Sequence, residues 1–261
     1  MSDDTNAITT ADDHDRARAG EGRPRVALFR PDDQRLVRGA RILESLGVTP
    51  VTDPMLAVER TGATPREDAT LAVLTSRTGV DVASEADWQP GGRVAAIGER
   101  TADRLRAAGY AVDVVPVEYS SAGLVATLAG EVDGECVEVA RSDHGRAELL
   151  DGLRAAGAYV HETILYRLVR PDGGGHSVAL AARGGLDAVL FTSSLTVEHF
   201  FAVAEERDLA EAAREGLADA VVGAIGEPTS ESAADADIDA DVVPETATFE
   251  ALARATVDEL A

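Results

Sequence analysis

A chain of 261 residues can bury one large core or two smaller ones, and its 45% hydrophobic content places it among globular sequences. Its 47 acidic residues outnumber 24 basic ones for a net charge of −23, and every basic residue is arginine. That field repels nucleic acid and anionic lipid, so neither is an expected partner, and the lack of lysine excludes Schiff-base chemistry and a phosphate-binding P-loop.

Residues 1–23 are polar and acidic with no apolar stretch, so they read as a disordered leader rather than a secretory signal. No run of about 18 apolar residues offers a membrane span, and the expected setting is cytoplasmic. From residue 25 onward, short β-branched runs alternate with helical patterns, which predicts parallel α/β architecture. Residues 25–29 form the first predicted strand, stopped by Arg30-Pro31. Leu36, Ala40, Leu43 and Leu46 then recur at helical spacing before Gly47. Strands are predicted at 71–75, 94–97 and 112–115, with helices at 101–108 and 120–129. The second half has strands at 136–140, 188–192 and 221–225, with helices at 148–156, 196–206, 229–236 and 248–260. The last helix but one is weakened by residues 232–241, which are poor in apolar side chains. Gly173-Gly174-Gly175 reads as a flexible link. Cys136, the one cysteine, lies in an apolar run and reads as a buried structural thiol, with no disulfide possible within the chain. The five histidines are scattered without zinc-ligand spacing, so no metal site is expected.

The two halves repeat one another. Residues 25–30 correspond to 136–141, Leu74-Thr75-Ser76 to Phe191-Thr192-Ser193, residues 96–101 to 224–229, and residues 114–116 to 242–244. The offsets are 111, 117, 128 and 128 residues (141 − 30, 192 − 75, 226 − 98, 244 − 116), and they grow only where loops intervene. That period is too long for a solenoid and fits two related α/β domains. Segments 52–60 and 162–171 also correspond and read as a two-stranded hinge. On this reading residues 24–51 and 172–261 form one discontinuous domain and residues 61–161 the other.

Polar residues recur just past the C-terminal ends of the predicted strands: Arg30, Thr75-Ser76, Gly98 to Thr101, Arg141-Ser142, Thr192-Ser193-Ser194 and Gly226 to Thr229. In open parallel sheets ligands bind along that edge. Glycine lets a ligand approach the backbone, and free N–H groups with the helix dipole favour carboxylates. Thr101 and Thr229 also fit helix N-caps, Ser76 and Ser193 ordinary turn or cap positions, and Arg30 and Arg141 solvated positions. No G-x-S-x-G, H-E-x-x-H or strand-following G-x-G-x-x-G motif is present. The residues alone therefore predict a two-domain α/β protein that binds an anionic ligand between its domains.

The ordered set resembles the uroporphyrinogen-III synthase family over nearly all of residues 25–260. The closest matches are Leu74-Thr75-Ser76-Arg77-Thr78-Gly79-Val80, Ala95-Ala96-Ile97-Gly98 with Thr101, and Arg141-Ser142 with residues 145–150. Leu165-Tyr166-Arg167, residues 188–194 and Ala224-Ile225-Gly226 with Thr229 continue it, while Arg141-Ser142 departs from the Arg-Gly frequent in the family. The resemblance implies two flavodoxin-like parallel-sheet domains joined by a β hinge, with hydroxymethylbilane in the cleft. It implies a lyase of porphyrin biosynthesis that needs no cofactor and closes the bilane to uroporphyrinogen III with inversion of ring D. Tyr166 matches the family's tyrosine, the catalytic candidate. Arg30, Ser76, Gly98, Thr101, Arg141, Ser142, Arg146, Ser193, Ser194, Gly226 and Thr229 are the implied substrate contacts. A monomer is expected. The rival reading is a non-catalytic module of the same shape that holds a tetrapyrrole or another anion.

The acidity itself fits a surface kept hydrated in a salty cytoplasm. Self-repulsion among so many carboxylates should destabilise the fold at low ionic strength, where the Debye length is about 30 Å at 0.01 M salt. Melting temperatures are expected to climb along a salt series, and a flat series would make the acidity incidental to stability.

Overall fold

The computed structural model describes residues 22–261, so the leader expected over residues 1–23 lies almost wholly outside the described residues. The chain divides into two compact units, one made of the residues up to Met55 with Asp172–Ala261, the other of Leu56–Pro171. The first unit opens with β1 (Arg25–Leu28), α1 (Gln34–Ser45) and β2 (Thr49–Thr52). The second follows with β3 (Ala57–Arg60), β4 (Leu71–Leu74), α2 (Arg77–Glu85), β5 (Arg93–Ala96), α3 (Glu99–Ala107) and α4 (Ser121–Leu128). It closes with β6 (Cys136–Ser142), α5 (Ala147–Ala155) and β7 (Tyr159–Val169). The chain then completes the first unit with α6 (His176–Ala181), β8 (Ala188–Phe191), α7 (Ser194–Glu206) and α8 (Ala210–Ala218). Last come β9 (Val221–Ala224), α9 (Glu227–Asp235) and α10 (Phe249–Glu259).

The first unit holds a parallel sheet in the order β2-β1-β8-β9. Its strands are apolar on both faces because helices cover both. Ala27, Phe29, Val189 and Phe191 pack into one core, and Val26, Leu28, Ala188 and Leu190 into the other. The second unit repeats the plan in the order β3-β7-β6-β4-β5, parallel except for β3, which runs antiparallel against the far end of β7. Leu71, Val73, Val137 and Val139 face one core, and Ala72, Leu74 and Ala140 the other.

The internal repeat carries through to the backbone. β5, α3 and the bridge at Val114 recur as β9, α9 and the bridge at Val242, each 128 residues on (221 − 93, 227 − 99, 242 − 114). Each sheet nevertheless draws strands from both halves of the repeat, β1 and β2 pairing into a sheet with β8 and β9.

Several expectations need correction. The strand expected at 112–115 is a single bridge, because Asp113 Oδ2 takes the Val94 N–H at 2.7 Å and Pro116 has no N–H to continue a ladder. Asp241 repeats that contact on Val222 at 2.7 Å. Segment 52–60 is not one strand: Thr52 ends β2 and only Ala57–Arg60 pairs with β7. Helices α2, α6 and α8 are absent from the expected elements, and α9 forms despite its poverty in apolar residues. Gly173-Gly174-Gly175 is tied down rather than loose. The Gly175 N–H donates to Asp53 at 2.8 Å, and Arg207 donates to the carbonyls of Gly174 and Gly175. Gly175 has φ +94°, and a Cβ there would come within 2.5 Å of Val203 Cγ1, so glycine is required twice over. Cys136 is exposed, since it is the first residue of β6 and precedes the covered part of the strand.

Candidate functional site

Parallel pairing brings the C-terminal ends of β4, β5 and β6 to one edge of the second unit. Ser76 follows β4 and is the N-cap of α2, its Oγ accepting the Gly79 N–H at 2.9 Å. Gly98 follows β5 and is the N-cap of α3. Here the cap is bare backbone, and Thr101, which also fitted a cap, is the third helical residue and 5% exposed. A Cβ on Gly98 would sit 3.1 Å from Cβ of Tyr119, whose exposed side chain covers that helix start.

Tyr166 reaches the same edge through an irregularity of β7. Arg141 pairs with Ile164 and Ser142 with Tyr166, so Leu165 is an extra residue in the ladder. A bulge of this kind interrupts the alternation of side chains. Leu165 and Tyr166, though consecutive, are both buried in the core that holds Leu74 and Ala140. The phenol hydroxyl lies 2.9 Å from Ser76 Oγ. The structure therefore brings Tyr166 and Ser76 together.

The arginines are placed differently from one another. Arg141 is 6% exposed and occupied within the protein, donating through Nε to Glu162 at 2.6 Å and through Nη1 to the Arg146 carbonyl at 2.6 Å. It thereby fixes the turn from Ser142 to Arg146. Arg146 is exposed and forms the N-cap of α5, and Ser142, half-buried, ends β6. Beside that turn, burial raises the Asp143 carboxyl, but hydrogen bonds from His144 and the Leu168 N–H outweigh it and hold the group below the usual range.

In the first unit the corresponding edge carries Arg30 after β1, Ser193 and Ser194 after β8, and Gly226 with Thr229 after β9. The Arg30 guanidinium lies 4.8 Å from the centre of the Phe249 ring. Burial and then the neighbouring Arg35 lower its affinity for its proton, yet a guanidinium stays charged. Ser193 is the N-cap of α7 and shares a capping box with Thr196. Ser194 Oγ donates to the Pro228 carbonyl at 2.8 Å, linking the starts of α7 and α9. Gly226 is the N-cap of α9 with nothing within 4 Å of an added Cβ, so this helix start is open where that of α3 is covered. Thr229, which also fitted a cap, is the third helical residue and 4% exposed. Pro228 has no N–H, so α9 offers one donor fewer than α3.

A cavity of about 410 Å³ in the second unit, lined by Cys136, Glu138, Tyr159 and His161, lies at the other end of β6 and β7 from these residues. Among the described residues no group of three His, Cys, Asp or Glu could hold a metal ion, and no helix is long and apolar enough to cross a membrane.

Two α/β units, each built on a largely parallel sheet with polar residues and helix starts along its C-terminal edge, define the class of protein. The edge of the second unit adds a buried phenol. A family model described as uroporphyrinogen-III synthase HemD matches residues 38–254, and the chain belongs to that family of cyclising lyases. It is 30% identical over 199 residues to a Methanothermobacter thermautotrophicus protein provisionally named uroporphyrinogen-III synthase, covering 70% of this chain and 78% of that one. A crystal structure of a mutant uroporphyrinogen III synthase from Thermus thermophilus shares the fold with a TM-score of 0.63 at 21% identity. That likeness covers 88% of this chain and 96% of that one. The Helicobacter pylori enzyme aligns with a TM-score of 0.59 at 13% identity over 91% and 99% of the two chains.

Proposed function

We propose that the protein closes hydroxymethylbilane to uroporphyrinogen III with inversion of ring D, acting as a cytoplasmic monomer without a cofactor. The observation that carries this reading is the family match, whose span contains Tyr166 and all the polar edge residues except Arg30. The chemistry fits what those residues offer. Pyrrole nitrogens of the bilane supply the electrons that expel the ring A hydroxyl, so the protein's work is to fold the substrate and stabilise charge. Ring D attacks the resulting azafulvene through its substituted carbon, and the spiro intermediate fragments and recloses.

In this reading N–H groups at the starts of α2, α3, α7 and α9 take acetate and propionate carboxylates, with Thr101 and Thr229 as contacts beside them. Arg30, Arg146, Ser142 and Ser194 add polar contacts, and Tyr166 supplies the proton that leaves with the hydroxyl. The test is to supply hydroxymethylbilane and identify the isomer formed. Uroporphyrinogen III is expected. Closure to isomer I alone, with tight binding of the bilane, would make the chain a binding module instead.

A further inference from the structure

Tyr166 is 5% exposed, and among the described residues its hydroxyl has one polar partner, Ser76 Oγ at 2.9 Å. Ser76 is only half-buried and stands at the end of β4, where the polar edge begins. Its oxygen is held from two sides. It accepts the Gly79 N–H at 2.9 Å, and the missing side chain of Gly79 permits that approach, since a Cβ there would lie 3.1 Å from the serine oxygen. The two hydroxyls have two protons and one bond between them, so one O–H is always left to donate elsewhere. Because the phenol is buried, the arrangement that serves a ligand is the one in which Tyr166 donates to Ser76 and Ser76 donates outward.

We infer that Ser76 is a catalytic residue that passes the Tyr166 proton to the departing hydroxyl, an inference that rests on the function proposed above. As the carbon–oxygen bond of the hydroxymethyl group breaks, its electron pair leaves with oxygen. Ser76 gives that oxygen its proton to form water and takes the Tyr166 proton in the same step. The negative charge then resides on the phenol oxygen, which accepts from the Ser76 O–H. The Ser76 oxygen in turn accepts from the first turn of α2, whose dipole favours negative charge. The proton lost by the closing macrocycle restores the phenol, and the net product besides the ring is one water.

The test measures kcat and KM for hydroxymethylbilane in Ser76→Gly, Ser76→Thr, Tyr166→Phe and the Ser76→Gly/Tyr166→Phe double variant. Glycine is tolerated at an N-cap nearly as well as serine, so Ser76→Gly removes the hydroxyl and spares the helix start. Should it fail to fold, Ser76→Asn caps equally well and also lacks the hydroxyl. Ser76→Gly and Tyr166→Phe are each expected to lower kcat by about 100-fold with little change in KM, and Ser76→Thr to stay within about threefold of the parent. The double variant should be no slower than the slower single one, because both changes break one path. Losses that multiply in the double variant, or a Ser76→Gly that raises KM at unchanged kcat, would overturn the inference and leave the proposed function standing. A parent protein that makes no uroporphyrinogen III would overturn both.

Discussion

Tyr166→Phe is expected to lower kcat for the cyclisation by about 100-fold or more while the protein stays folded. The phenylalanine ring keeps its place beside Leu74, Ala140 and Leu165, so the core loses no volume. What disappears is one hydrogen bond to Ser76, a stability cost of about 1 kcal/mol. A 100-fold loss in rate corresponds to about 2.7 kcal/mol of transition-state stabilisation, well above that cost. KM should move little, because the proton is needed as the carbon–oxygen bond breaks rather than on binding. Tyr159→Phe is the proper control, since Tyr159 is exposed at the opposite end of β7. Tyr119 is a poor control although it too is exposed, because its side chain packs on Gly98 at the start of α3. Steady-state rates on hydroxymethylbilane decide the matter, and a Phe variant that keeps most of its kcat would leave Tyr166 a packing residue.

The parts of this fold that were legible in the sequence are those with a local cause. Apolar runs announced β1, β4, β5, β6, β8 and β9, and the 128-residue repeat announced that β5 and α3 return as β9 and α9. Turn and cap chemistry allowed Ser76 and Ser193 as helix starts, which both are, although α2 itself was not expected. Contacts made at long range were not legible. Nothing in the spacing of Leu165 and Tyr166 reveals the extra residue that buries both on one face of β7. Thr101 and Thr229 looked like caps because threonine favours that position, yet Gly98 and Gly226 serve as caps with backbone alone. Arg141 fits a substrate contact or a solvated position by sequence, and nothing in the spacing reveals its partner Glu162, 21 residues away on the neighbouring strand. The six-residue length of α6 hid that helix, whereas α8 was passed over although its buried Ala213 and Leu217 recur at helical spacing.

Asp53→Ala should cause the largest loss of stability in the first unit. Sequence reading assigned Asp53 to an extended connector, but it is fully buried, just beyond the end of β2. Its carboxylate accepts the Gly175 and Ser177 N–H groups, each at 2.8 Å, as well as the Ser177 hydroxyl, and His176 Nδ1 lies 3.2 Å away. These donors are the start of α6, a helix with no side-chain cap of its own, so Asp53 performs the capping from the segment after β2. Deleting the carboxylate leaves three buried donors without an acceptor, at a cost of about 3 kcal/mol or more. At about 2–4 °C per kcal/mol for a protein of this size, the melting temperature should fall by about 6–12 °C. Asp53→Asn keeps one carbonyl oxygen but turns an NH₂ toward groups that also donate, so it should fall between the parent and Asp53→Ala. Hydrogen exchange localises the effect: the amides of Gly175 and Ser177 should lose protection first, while those of β4 and β6 in the other unit keep theirs. An Asp53→Ala protein that melts within about 2 °C of the parent would mean that water replaces the carboxylate at the start of α6. The tie between β2 and the returning chain would then be dispensable to the fold.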